Sequence, residues 1–218
     1  MDFHLHSWYG CTIDIGINKI MNNIKNQIYV KENAISTSEC DNLLEGFHKM
    51  SWLHAPGRIG ISDEADQVKK STDLTLPWDI IRNHKDFASM HKALHDGFTE
   101  YMDNINYIVE HQPPVIIENF FNMQWYKPGE GYYAYHAELQ PGAPNSSSMR
   151  CAAWMFNLNT IENGGGTEFK YFDDKIEPKA GQLSIFPAYF THTHRGIVAP
   201  EEDKYIATGW FCYHIERY

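Results

Sequence analysis

The pattern of apolar and polar positions changes from helical to strand-like about half-way along the chain. In the first half, apolar residues recur at the three- and four-residue spacing of amphipathic helices. Ser36 and Glu39 form a capping box, which predicts a helix whose buried stripe is Leu43, Leu44, Phe47 and Met50. The same spacing over 77–108 predicts the longest helix, and 27–30 is a short predicted strand.

After the prolines at 113 and 114, turns separate short apolar segments of strand length. The predicted strands are 115–126, 132–139, 149–158, 167–172, 182–186 and 204–213. Strands of this number and length, joined by Gly-rich and Pro-rich turns, fit a double-sheet jelly roll. The predicted fold class is therefore mostly β with N-terminal supporting helices, an α+β arrangement.

The length of 218 residues is enough for one substantial core, so we expect a single domain over 1–218. In this interpretation 1–110 is an N-terminal arm with support helices, and 111–218 is the jelly-roll core. Residues 55–77 have no sustained period and are predicted to form a long loop, either a lid over the substrate or a disordered segment. Substrate specificity would then lie in 55–77 and 140–148.

Composition narrows the classes of partner. The formal net charge of −10 argues against nonspecific binding to nucleic-acid backbones and favours a peptide, an amino acid or another small molecule. No apolar run reaches the length of a membrane span, and the N-terminus lacks the pattern of a signal peptide, so we expect a cytoplasmic protein. The four cysteines have no CxxC spacing and are predicted to be free, buried thiols.

The candidate chemistry begins with His136 and Glu138, which share one face if they lie in a strand. A third ligand could come from His194 or His192, which have the same parity in the later segment 191–194. Two imidazoles and one carboxylate with open positions opposite are typical of non-haem Fe(II) oxygenases. With 12 histidines in the chain, a packed core histidine beside a surface carboxylate is the competing interpretation of the pair.

The last predicted strand carries a lysine on an otherwise apolar face. Lys204 shares this face with Ile206, Thr208 and Trp210. A lysine that faces inward is costly unless it meets an anion, so an acidic cosubstrate is its predicted partner, with the Thr208 hydroxyl as a further donor. The alternative is a lysine whose stem packs while its ammonium reaches the rim.

The stretch 124–210 resembles the prolyl-hydroxylase branch of the Fe(II)/2-oxoglutarate-dependent dioxygenases. A tyrosine, Tyr126, opens a Gly-containing turn ten residues before His136, as in that family. The family's distal histidine is followed by Gly after two residues and by a lysine after ten, which His194, Gly196 and Lys204 match and His192 does not. Thr208 and Trp210 follow the lysine at the family's spacing.

The resemblance implies a double-stranded β-helix that holds Fe(II) with His136, Glu138 and His194, and that has no catalytic residue beyond this metal centre. It implies 2-oxoglutarate as cosubstrate, bound by Tyr126, Lys204 and Thr208, with O2 as the oxidant and ascorbate as a candidate reductant. Trp154 and Trp210 are candidates for the substrate pocket, and core packing is the alternative for Trp154. The reaction implied is hydroxylation of an unactivated C–H bond, in a prolyl residue of a peptide or in a free amino acid.

One position departs from the family pattern. Glu138 stands where the family has aspartate, so its carboxylate is one methylene farther from the backbone. This difference keeps a second class of function open, a non-catalytic cupin-type protein that binds a metal or small ligand. An oxygenase of nucleobases is a third class, which the negative charge and the lack of a basic strip disfavour.

Overall fold

We describe a computed structural model of the chain over residues 24–57, 65–81, 84–105, 113–143 and 146–214. The helices in these ranges are α1 Thr37–Lys49, α2 Ala65–Val68, α3 Trp78–Ile81 and α4 Ala88–Asp103. The strands are β1 Ile24–Lys25, β2 Ile28–Lys31, β3 Ala55–Pro56, β4 Thr72–Pro77, β5 Val115–Ile117, β6 Phe120–Tyr126, β7 Arg150–Asn157, β8 Thr167–Phe169, β9 Lys175–Ile176, β10 Gln182–Pro187, β11 His194–Gly196 and β12 Lys204–Tyr213. The predicted N-terminal arm up to residue 23 lies outside the described ranges.

Two antiparallel sheets make up the β part of the fold. The larger has nine strands in the order β1-β2-β10-β7-β12-β6-β4-β3, with β5 also paired to β12, and the smaller has the order β11-β8-β9. Helices and β-strands are thus arranged as the mostly β jelly roll predicted from the sequence, and the fold class is confirmed by the solved structures described below. The large sheet also includes β1, β2, β3 and β4, so it extends beyond the predicted 111–218 core.

The core lies between the helices and one face of the large sheet. Tyr205, Ala207 and Phe211 of β12 face this layer, and the ring of Phe98 from α4 stacks on Phe211 with 3.9 Å between centroids. Gly209 has the same parity; a side-chain carbon there would meet the indole of Trp154 at 2.6 Å, so only glycine fits. The opposite face of β12, with Lys204 and Trp210, is turned towards the space between the two sheets.

Helix α1 forms as predicted. Ser36 accepts from the backbone N–H of Glu39, whose side chain accepts from the N–H of Ser36, and the buried stripe includes Leu43 and Phe47. The predicted helix over 77–108 is interrupted. It forms α3 and α4, with a turn between them in which the N–H of Phe87 donates to the carbonyl of His84.

The prediction of one long loop over 55–77 is wrong for its described ends. β4 pairs along its whole length with β6, because Leu74 and Leu76 alternate with polar neighbours and bury one face of the strand. The predicted single strand 115–126 is divided into β5 and β6. The predicted strand 132–139 is also wrong: its backbone makes isolated bridges, Lys69 to Tyr132 and His136 to His194, and no continuous ladder.

Candidate metal centre and cosubstrate cavity

A cavity of about 630 Å³ opens between the two sheets and contains most of the predicted site residues. Its wall on the large sheet is formed by alternate residues of β12, β6 and β4, and its other side by the segment 130–140 with part of β8 and β11. Strand parity explains this wall, since residues two apart in adjacent strands project into the same space.

The backbones of His136 and His194 are joined by an isolated antiparallel β-bridge beside the cavity. The N–H of each donates to the carbonyl of the other, both at 2.9 Å, so the two backbones run side by side for a single pair. Glu138 is fixed by its own N–H, which donates to the carbonyl of Ala188 at 3.1 Å. The segment therefore needs no full strand to present both side chains on one side.

Three side chains converge at this point. Oε1 of Glu138 lies 3.4 Å from Nε2 of His136 and 3.4 Å from Nε2 of His194. One ligand atom from each residue lies within 4.8 Å of the other two, and no other such group is found within the described residues. This is the cluster that the sequence predicted.

The imidazoles are oriented for metal binding by their other nitrogens. Nδ1 of His136 is 3.1 Å from the carbonyl of Ala134, and Nδ1 of His194 is 2.9 Å from the carbonyl of His192. Because a carbonyl only accepts, each Nδ1 is the donor in these contacts, and each Nε2 is directed at Glu138. Three ligand atoms at these distances are placed to share one metal ion, and the donor set of two imidazoles and a carboxylate suits Fe(II).

Burial opposes the charge on Glu138, but contacts with His136 and His194 outweigh it and hold the pKa of this carboxyl well below its usual range. The carboxylate is therefore the ionised form that a metal binds. Tyr132 stacks on the ring of His136 with 3.7 Å between centroids and fixes the plane of that ligand.

His192 points away from the cluster. Its Nε2 is 2.9 Å from the carbonyl of Asn26, and its Nδ1 is 3.0 Å from the hydroxyl of Thr191. Burial lowers its pKa, which keeps the ring neutral. Of the two histidines that parity left open, His194 is the one in the cluster.

Lys204 faces into the cavity, as the alternation in β12 predicted. It is 6% exposed, and its Nζ lies 5.8 Å from the centroid of the Tyr126 ring. Within the described part of the chain no carboxylate lies within ion-pairing distance of this ammonium, and burial lowers its pKa to about 8. An uncompensated buried ammonium is costly, and it marks where an anion would be stabilised.

Two further predicted cosubstrate residues line the same cavity. Burial raises the pKa of the Tyr126 phenol, and its hydroxyl donates to Oε1 of Gln124 at 2.7 Å. The Thr208 hydroxyl donates to the carbonyl of Trp154 at 2.8 Å. Its single proton is used there, so in this arrangement Thr208 offers a ligand an acceptor and not the predicted donor.

The two predicted pocket tryptophans differ. Trp210 lines the cavity, and its Nε1 donates to Oε2 of Glu138 at 2.7 Å. Trp154 does not line it: its side chain is fully buried among Trp78, Phe121 and Phe156 in the main core. The prediction for Trp154 is corrected by strand parity, because β7 turns this residue to the helical side of the sheet.

Sequence reasoning missed two charged groups on the cavity wall. Arg150 covers the ring of Trp210, with Cζ 3.4 Å from the ring centroid. At the other end, the Lys69 ammonium pairs with Asp73 at 2.6 Å, although Lys69 is 3% exposed. The available signal for Arg150 was a charged residue opening an otherwise apolar strand; Lys69 and Asp73 lay in a stretch interpreted as a loop.

Residues 121–212 match the family model described as the 2OG-Fe(II) oxygenase superfamily. The match is a likeness of this segment to that superfamily. Fe(II) and 2-oxoglutarate are accordingly the cofactor and cosubstrate of the family, and the resemblance seen in the sequence is confirmed at this level.

Solved structures of prolyl hydroxylases have the same fold as this chain. A viral collagen prolyl hydroxylase from Paramecium bursaria Chlorella virus-1, in complex with 2OG, superposes with a TM-score of 0.64 at 20% identity, covering 87% of this chain and 97% of that one. A Pseudomonas putida prolyl-4-hydroxylase gives 0.62 at 14% identity, with coverage of 87% and 94%.

A prolyl hydroxylase from Trichoplax adhaerens, solved with a hypoxia inducible factor peptide fragment, gives a TM-score of 0.66 at 16% identity and covers 87% of this chain and 84% of that one. At these identities the likeness establishes the double-stranded β-helix fold. The chain matches none of the curated proteins. No described helix is both long and apolar enough to cross a membrane.

Proposed function

We propose that the chain is an Fe(II)- and 2-oxoglutarate-dependent hydroxylase whose iron is held by His136, Glu138 and His194. The observation that carries the proposal is the meeting of this cluster with the unpaired ammonium of Lys204 in one cavity. A metal cluster alone would suit a binding protein. An additional buried cation in the same cavity is what a cosubstrate with a second carboxylate requires.

In this proposal each residue of the cavity has a separate role. His136, Glu138 and His194 hold the metal, which together with 2-oxoglutarate and O2 supplies the oxidation of a C–H bond that no side chain can perform. Lys204 binds the far carboxylate of the cosubstrate, and Tyr126 donates a hydrogen bond to it after releasing Gln124. Thr208, whose proton is committed to the Trp154 carbonyl, fixes the spacing of this wall.

The proposed substrate is a prolyl residue in a peptide, with a free amino acid as the second candidate. A cavity of about 630 Å³ exceeds the needs of a small cosubstrate and leaves room for part of another molecule. Exposed apolar residues at its rim favour a peptide: Leu53 lines the cavity and is 52% exposed, and the adjacent Trp52 is 76% exposed.

The test is formation of succinate from 2-oxoglutarate in air with added Fe(II). The wild-type protein should turn over slowly without substrate, and His194→Ala should lose at least 100-fold because one of three ligands is gone. His192→Ala is the matched control and should keep wild-type turnover, since its ring nitrogens contact Asn26 and Thr191 outside the cluster. Wild-type protein that makes no succinate would instead favour the metal-binding or ligand-binding class.

Proline-containing peptides and free amino acids should then be compared as substrates by the gain of one oxygen atom in the product mass. Stimulation of succinate formation by peptides alone would support the peptide assignment. Stimulation by free amino acids alone would overturn it while leaving the oxygenase chemistry intact.

A further inference from the structure

The two oxygens of the Glu138 carboxylate have different partners. Oε1 faces the two histidine Nε2 atoms, each at 3.4 Å. Oε2 accepts a hydrogen bond from Nε1 of Trp210 at 2.7 Å. The indole N–H therefore holds one oxygen away from the space between the ligands and leaves the other inside it.

Arg150 covers the opposite side of this arrangement. Its guanidinium lies over the Trp210 ring, with 3.4 Å from Cζ to the ring centroid. Nη1 is 3.8 Å from Oε2 of Glu138 and donates to the Glu138 carbonyl at 3.4 Å. Arg150 thus contacts both the indole that binds the carboxylate and the residue that carries it.

The buried carboxylate of Glu118 lies at ion-pairing distance from Arg150, without a hydrogen bond to its Nε. Nε of Arg150 is 3.5 Å from Oε2 of Glu118, whose side chain is 4% exposed, and Oε1 of Glu118 accepts from the hydroxyl of Ser146. Arg150 is therefore the cation between Glu118, which is buried, and Glu138, whose side chain is 17% exposed. Glu118, Arg150 and Trp210 thus form a series of contacts, and the last of them is the hydrogen bond from Trp210 to Oε2 of Glu138.

We propose that Trp210 and Arg150 are positioning residues that restrict Glu138 to binding the metal through Oε1 alone. The inference rests on the metal site of the proposed function. A glutamate has one more rotatable bond than the aspartate usual at this position, so its carboxylate can swing and can bind through both oxygens. The anchor on Oε2 removes that freedom and lets the longer side chain act as a single-oxygen ligand.

The primary test is Trp210→Phe, which keeps an aromatic ring beneath Arg150 and removes only the N–H. Anaerobic calorimetric titration with Fe(II), and with Co(II) as a spectroscopic probe, should show affinity lowered about 10- to 100-fold, the usual cost of losing a partner of a metal ligand. The visible spectrum of the Co(II) protein should change as well, because the released carboxylate alters the coordination.

The matched control is Trp125→Phe. Trp125 also donates an indole N–H to a carboxylate, Oδ1 of Asp203 at 2.7 Å, but on the helical face of the sheet, away from the cavity. Its loss should leave both the metal affinity and the Co(II) spectrum unchanged. An equal effect from both variants would show that general destabilisation, and not positioning, is being measured.

A double-mutant cycle with Glu138→Asp separates positioning from packing. The shorter aspartate draws the carboxylate away from the indole, so adding Trp210→Phe to Glu138→Asp should lower affinity by less than about threefold. A packing role would cost the same factor in both backgrounds and would overturn the proposal.

Arg150→Lys provides a second variant if Trp210→Phe does not fold. It keeps a cation for Glu118 but loses the guanidinium contact with the Trp210 ring, and affinity should fall by about 3- to 10-fold. If wild-type protein binds no metal, the proposed function itself fails. If wild type binds and neither Trp210→Phe nor Arg150→Lys changes affinity or spectrum, only the positioning role fails.

Discussion

Two buried lysines line the same cavity and differ in their ion pairing. Lys69 is 3% exposed and pairs with Asp73 at 2.6 Å, and Asp73 also accepts from the hydroxyl of Ser71. Lys204 is 6% exposed and has no such carboxylate within the ranges that the structure covers. A lysine paired with a carboxylate can be buried as part of the cavity wall. A buried lysine without such a partner lowers the stability of the fold until a ligand supplies the missing negative charge.

A row of hydrogen bonds separates the two lysines. Tyr126 donates to Gln124, and Gln124 donates to the same Asp73 oxygen that binds Lys69, at 3.4 Å. The row stops at Tyr126, whose ring Lys204 only contacts. The Lys69 end is thus internally satisfied, and the Lys204 end is available to an incoming diacid.

The largest expected effect comes from breaking the paired end. Lys69→Met leaves the Asp73 carboxylate buried without its cation and should lower the free energy of unfolding by about 3–5 kcal/mol. Urea unfolding measures this loss. Lys69→Met combined with Asp73→Leu should recover most of it, because an apolar pair replaces the ion pair; a double variant as unstable as the single one would contradict the account.

The same substitution at the unpaired end should have the opposite sign. Lys204→Met removes a buried ammonium whose pKa is lowered from 10.5 to about 8, so stability without ligand at pH 7 should rise by about 1–3 kcal/mol. Burial penalises the charged form below pH 8, and the unfolded chain holds more protons between pH 8 and 10.5. Wild-type stability should therefore approach that of Lys204→Met over this interval; a gap that widens with pH would be the contrary result.

The affinity for the cosubstrate should fall with rising pH, whereas the stability of the ligand-free protein rises. Only charged Lys204 pairs with the far carboxylate, and its pKa is lowered to about 8 by burial. The affinity for 2-oxoglutarate should stay level below pH 8 and fall by about tenfold per unit above it. Titration of the Mn(II) protein with 2-oxoglutarate across pH 7–10 measures this affinity, and Lys204→Met should show no such decrease above pH 8.

The smallest effect is expected at Thr208. Thr208→Val removes a hydroxyl that donates to the Trp154 carbonyl at 2.8 Å, a bond worth about 1 kcal/mol. Cosubstrate affinity should fall less than about fivefold, since the threonine proton is already used within the sheet. A loss as large as that of Lys204→Met would mean that Thr208 turns to bind the ligand directly.

The alternation of apolar and polar residues predicted the part of the cavity wall on β12 better than the part on β4. The parity of β12 correctly separated Lys204, Thr208 and Trp210 from the helical face, because a central strand obeys its period of two. The strand β4 was missed, since its six residues lie in a polar stretch and its buried face becomes clear only beside β6. Lys69 and Asp73 were missed for the same reason.

The candidate metal cluster was predictable through family spacing more than through local structure. His136 and Glu138 were assigned to a strand that does not form, yet a single bridge to His194 brings them together. Which of His192 and His194 faces inward depends on contacts with Asn26 and His136, and parity within one segment cannot distinguish them. Arg150 acts through a stacking partner 60 residues later, a relation that no sequence period encodes.

The most direct test of the central claim compares two ligands that differ only in the far carboxylate. Mn(II) protein should be titrated without oxygen with 2-oxoglutarate and with 2-oxopentanoate, which has the same chain but no second acid. Wild type should bind 2-oxoglutarate at least about 30-fold more tightly, and Lys204→Met should bind the two ligands alike. Equal binding of both ligands by the wild type would contradict the assignment of Lys204 to the cosubstrate.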